Sequence, residues 1–157
     1  MSRRPVKRPR ERRDKPEKRQ RIPLRATRAR AHYIKPDPDL PYHVKVYVSP
    51  TRLHMRTTIR YIEGSWKACD RTMGMVCSTS GKAGGRQLVA RMFLNVADLR
   101  RKGIEVITHE CTHAGMAWAR LRRTNLGHMP GEEVLCYAVG RMAQQVNQIG
   151  QMHRIWE

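Results

Sequence analysis

With 157 residues, 32 Lys/Arg against 13 Asp/Glu and a net charge of +19, the chain has room for one domain and one strongly basic segment. It contains no apolar run long enough for a secretory leader or a membrane span, which excludes those classes and points to a cytoplasmic or virion-associated protein. The charge is concentrated at the start, where residues 1–30 hold 14 Lys/Arg against 3 Asp/Glu, a net of +11.

Taken in order, residues 1–35 are expected to form a disordered basic tail. Pro5, Pro9, Pro16 and Pro23 interrupt any helix, and Val6, Ile22 and Leu24 are too few to offset the entropy of ordering. Such a tail attracts phosphate with little sequence preference, so non-specific DNA or RNA contact through residues 1–30 is expected. Pro36 to Pro41 reads as a stiff linker opening a domain over 36–157, with regular structure starting near Tyr42.

His43–Val48 alternates and is rich in β-branched residues, which predicts a strand closed by Ser49 and Pro50. Thr57, Thr58, Ile59 and Tyr61 favour a second strand within Thr51–Tyr61, and Gly64 marks a turn. A short strand is expected over Thr72–Ser78, followed by a flexible hairpin loop over Ser80–Gly85. That loop is Gly-rich but lacks the phosphate-loop spacing. Gln87–Leu94 is the clearest strand of the middle region, and its edge would hold an extended peptide by backbone pairing. Asn95–Arg101 gives a turn or short helix.

An amphipathic helix is then predicted over Gly103–Arg123, with a buried stripe of Ile107, Cys111, Ala114 and Trp118. Thr124–Gly131 is a loop. A second helix follows from Glu132 to about Gln148, with apolar Leu135, Val139, Met142, Val146 and Ile149 at helical spacing. The four cysteines Cys69, Cys77, Cys111 and Cys136 make no C-x-x-C pair and read as buried free thiols.

The first of these helices carries His109-Glu110-Cys111-Thr112-His113, an H-E-x-x-H pattern. Residues four apart stack on one helix face, so the two imidazoles can grip one metal ion. They fall nearly opposite the apolar stripe, and Glu110 lies between stripe and ligands, able to take a proton from a water held by the metal. A Zn²⁺ site that keeps one position open needs a third protein ligand, and the candidates are Glu132, Glu133 and His128. On the second helix Glu132 lies about 45° from the centre of the apolar stripe and Glu133 about 145° away, which favours Glu133. Glu132 could instead favour the helix start as a carboxylate among free N–H groups.

His109, Glu110 and His113, a loop, and Glu133 on a following helix resemble the gluzincin, or thermolysin-like, zinc metallopeptidases. The resemblance covers about residues 88–149, and the separation of 20 positions from His113 to Glu133 is typical of that group. It implies zinc on His109, His113 and Glu133 with Glu110 as general base. Where that group often has an Asp four positions after the ligand Glu, this chain has Tyr137. The segment Glu132–Gly140 is also similar to small phage-borne peptidases. The rival resemblance is to SprT-like metallopeptidases, whose third histidine would be His128, although His-Gly is usual there and His128 precedes Met129.

These readings imply a small α+β zincin-like domain, a twisted and mostly antiparallel sheet backing two ligand-bearing helices. The expected function is zinc-dependent peptide hydrolysis with Glu110 as general base and Tyr61, Tyr137 or His128 as possible oxyanion donors. The alternatives are a nucleic-acid-binding or virion protein that keeps the zincin scaffold, or an SprT-like protease acting on DNA-bound proteins.

Overall fold

The computed structural model describes residues 28–64 and 73–156. Most of the basic tail, Cys69 and the first residue of the expected strand at Thr72 lie outside that range. The chain is α+β, a four-stranded mixed sheet with three helices. Among the described residues, no helix is long and apolar enough to cross a membrane.

The sheet opens with β1 (Arg30–Ile34), antiparallel to β2 (Tyr42–Ser49). Composition places Arg30–Ile34 in the tail, and the structure corrects this. Five residues pair in register with Ile34–Val44 at one end and Arg30–Val48 at the other, and Ile34 is fully buried. One buried Ile and a complete ladder of backbone bonds order a segment whose basic composition argues against order. The supposed linker, Pro36 to Pro41, is therefore an internal connection of the domain. Gln145 on the last helix clasps it by accepting from the Lys35 amide (3.0 Å) and donating to the Lys35 carbonyl (2.9 Å).

A helix, α1 (Arg52–Glu63), stands where a second strand was expected. Thr51 caps it, its hydroxyl accepting from the His54 amide, and Gly64 closes it at φ 75°, donating to the Arg60 carbonyl. The β-branched residues that favour a strand are accommodated because Thr57 and Thr58 donate their hydroxyls to the carbonyls four residues back, at 3.0 and 2.8 Å. Met55, Thr58, Ile59 and Ile62 recur at helical spacing and cover one face of the sheet.

β3 (Gly74–Ala83) and β4 (Arg86–Asn95) form an antiparallel hairpin. The expected loop over Ser80–Gly85 shrinks to Gly84 and Gly85, whose φ of 57° and 75° suit a two-residue turn that follows the strand twist. β4 also pairs with β2, in parallel, so the strand order is β1-β2-β4-β3. The expected substrate-holding role of the Gln87–Leu94 edge is thereby corrected: this strand has a neighbour on each side, and β3 is the outer strand.

α2 (Val96–Leu121) joins the short helix and the long helix of the sequence reading through a kink at Lys102 (φ −142°, ψ 36°). α3 (Met129–Met152) completes the fold. Val44, Val46 and Val48 of β2 and Met92 and Leu94 of β4 meet the expected stripe Ile107, Cys111, Ala114 and Trp118, together with Met142, Val146 and Ile149 of α3. The opposite sheet face packs Tyr47 and Phe93 against Met55 and Ile59 of α1. Among the described cysteines, Cys111 is buried, Cys77 is half-buried and Cys136 is exposed, so burial holds for only one of them.

Candidate metal centre

The site begins where β4 ends. Asn95 accepts from the Asp98 amide (2.9 Å) and caps α2, while its amide group donates to the Asp98 carboxylate (2.8 Å) and to the Met73 carbonyl (2.9 Å). Arg52 adds a bidentate pair to Asp98, with contacts of 2.7 to 3.0 Å. Burial would raise the Asp98 carboxyl, but hydrogen bonds from Arg52 and Asn95 outweigh it and hold the group below the usual carboxylate range. This knot joins the starts of α1, β3 and α2 to the end of β4. It fixes where α2 leaves the sheet, and so where His109 stands two turns beyond the kink.

His109 and His113 are exposed on one face of α2 with their Nε2 atoms 3.1 Å apart and rings nearly perpendicular, at 83°. The pair can be tested for metal fit by elementary geometry. Two nitrogens at about 2.05 Å from a zinc ion and 3.1 Å from each other subtend roughly 100°, near the tetrahedral angle. The two imidazoles therefore fit half of a zinc site.

Glu110 is turned toward the sheet and is only 4% exposed. Burial pushes its carboxyl up to about 7. It lies beneath Gly74 at the start of β3, so closely that a Cβ at position 74 would sit 2.7 Å from Glu110 Cγ and 2.8 Å from Oε1. The absence of a side chain there admits the carboxylate under the outer strand. The sequence reading missed Gly74; an isolated glycine inside a strand pattern was the available signal. Cys111, the next residue, faces the core, where burial and the Glu110 carboxylate push its thiol up to about 12, so it is an inert packing group.

The third ligand is where structure and expectation part. Among the described residues, no group of three His, Cys, Asp or Glu side chains is placed to hold a metal ion. Glu133 and Glu132 are exposed on the first turns of α3, and His128 is its N-cap without a side-chain capping bond. The reason lies in how the helices pack. Leu135 and Val139 of α3 meet α2 at Gly115, where a Cβ would sit 2.9 and 2.8 Å from their methyl groups. On the wheel of α2, Gly115 is about 120° from His109 and about 160° from His113, so α3 packs along the far side of α2 from the histidines. The oxyanion candidates are similarly dispersed. Tyr61 belongs to α1, across the sheet, and Tyr137 is 72% exposed on α3.

No family model, no curated protein and no solved structure matches this chain.

Proposed function

We propose that the protein is a zinc-dependent peptidase in which His109 and His113 hold the ion and Glu110 is the general base. The observation that carries this reading is the pairing of two exposed imidazoles at zinc-bite distance with a buried carboxyl on the adjacent residue, pressed against the outer strand of the sheet. A structural zinc site needs no such unliganded carboxylate. When bound, zinc would supply a Lewis acid for the scissile carbonyl and lower the pKa of water toward neutrality.

Glu110 accepts the proton of the attacking water and returns it to the leaving nitrogen. A carboxylate beside the ion can accept that proton and, once protonated, donate it. Among the described residues β3 has a strand neighbour, β4, on one side only, and its other edge is where an extended peptide can lie above α2. Gly74 lets that strand and Glu110 approach each other.

The deciding experiment is metal analysis of purified protein beside digestion of casein, with and without a chelator. About one zinc per chain and chelator-sensitive cleavage are expected; a protein that takes up no zinc on titration overturns the reading. Glu133, the third ligand implied by the gluzincin resemblance, is a separable part of it. Competition with a chromophoric chelator on Glu133→Ala, Glu132→Ala and His128→Ala tests that part, and wild-type affinity in Glu133→Ala removes Glu133 from the ligand set.

A further inference from the structure

Between β3 and α2 lies a groove of about 380 Å³, bounded by Ser78, Thr79 and Ser80 on the strand side and by Ala117 and Arg120 on the helix side. Two features make this stretch more than a gap. First, the β3–β4 ladder slips here: Ser78 pairs with Ala90 but Gly81 with Leu88, so Thr79 and Ser80 together oppose the single residue Val89. Such a bulge re-aims side chains and recurs beside functional sites. Second, Arg120 stands on the same face of α2 as the histidines, seven positions beyond His113. Arg52, Arg91, Arg101 and Arg122 each pair with a carboxylate, whereas Arg120 has no ion-pair partner among the described residues.

We infer that Arg120, with the hydroxyls of Ser78, Thr79 and Ser80, forms a subsite that selects an Asp or Glu side chain on the peptide substrate. The inference rests on the peptidase reading of His109, Glu110 and His113. A guanidinium offers a planar pair of donors to a carboxylate, and the hydroxyls can donate to its remaining lone pairs. The distance sets the position. Seven helical residues rise about 10 Å, which an extended peptide at about 3.3 Å per residue covers in three steps. The selected acid is thus about three residues from the cleaved bond.

The test uses the full-length, zinc-loaded protein and matched fluorogenic decapeptides that carry Glu, Gln or Lys three residues to either side of the cleaved bond. The same peptides, fluorescein-labelled, are bound to the Glu110→Gln protein by polarisation. On one side of the bond, Glu is expected to be favoured over Gln by roughly fivefold in kcat/KM and in affinity, the size of a partly exposed charge pair. Arg120→Glu should reverse the order to favour Lys, and Arg120→Lys should keep it in weakened form.

Cleavage without preference, unchanged in Arg120→Glu, overturns the subsite and leaves the peptidase standing. Binding preference without cleavage supports the subsite and overturns the peptidase. Indifference in both assays overturns both. A single-stranded oligonucleotide that binds through Arg120 while the acidic peptides do not would assign the groove to nucleic acid and overturn the proposal.

Discussion

Two histidine pairs in this chain make nearly the same contact in different surroundings. His109 and His113 touch through Nε2 at 3.1 Å; His32 of β1 and His153 at the end of α3 touch through Nε2 at 2.8 Å. The difference is in what stands behind the rings. Arg30 donates to His153 Nδ1 at 2.7 Å, and since a guanidinium only donates, that ring must present its Nε2–H to His32. The tautomers are thereby fixed, a cation sits beside the pair, and the contact joins residues 121 positions apart. It is a clip that holds the edge strand to the last helix. The α2 pair is local and exposed, and its two Nε2 atoms share one hydrogen, which a zinc ion bound as proposed would displace.

The largest effect that could break this contrast concerns metal. His109→Ala or His113→Ala should lose stoichiometric zinc, read by atomic absorption after dialysis, while His32→Ala and His153→Ala should retain it. Zinc retained in the α2 variants and lost in the others would invert the assignment. Next in size is Glu110→Gln, expected to keep the metal and lower kcat by about 10²- to 10⁴-fold, because an amide cannot take up the proton. An unchanged rate removes Glu110 from the chemistry.

The two regions should also respond to pH with opposite sign in the metal-free protein. The Glu110 carboxyl has a folded-state pKa of about 7 against an ordinary 4.5, so the folded state binds the extra proton. Its contribution is complete below pH 4.5 and is withdrawn as pH rises toward 7, by about 3 kcal/mol in total. Urea denaturation of Glu110→Gln should lack that loss.

The smallest effect belongs to the clip. Burial first, then the neighbouring charges, lower both His32 and His153 below the ordinary 6.5, so the unfolded state binds more protons. Their contribution is present above pH 6.5 and lost as pH falls through the depressed values. His153→Ala should therefore flatten the acid side of the stability profile and spare the alkaline side. An acid limb of wild-type steepness in that variant would mean that the clip is not the titrating element.

What the sequence made legible follows the range of the forces involved. The α2 stripe and the facing of His109, Glu110 and His113 depend on spacing within one helix, and Ile107, Cys111, Ala114 and Trp118 are all buried as their period requires. The β4 strand and the α3 stripe were readable for the same reason. Thr57, Thr58 and Ile59 misled because β-branching was weighed above the Thr51 cap and the 55–58–59–62 spacing. Arg30–Ile34 was hidden because its order comes from pairing with β2 and from α3, 110 or more positions away, which its own basic composition does not encode. Glu133 had a good helix face and a good separation, but which side of α2 receives α3 is decided at Gly115, by packing that no local pattern encodes.

The missing side chain at position 74 also constrains how this chain can vary. While Glu110 keeps its length and its place under β3, any larger residue at 74 meets Cγ and Oε1 at under 3 Å. Shortening residue 110 would lift that restriction, whereas enlarging residue 74 first would push the Glu110 side chain from its place. The two positions should therefore change together and in a fixed order, with 110 leading. In a related sequence, a side chain at 74 is expected beside a shortened or displaced residue 110.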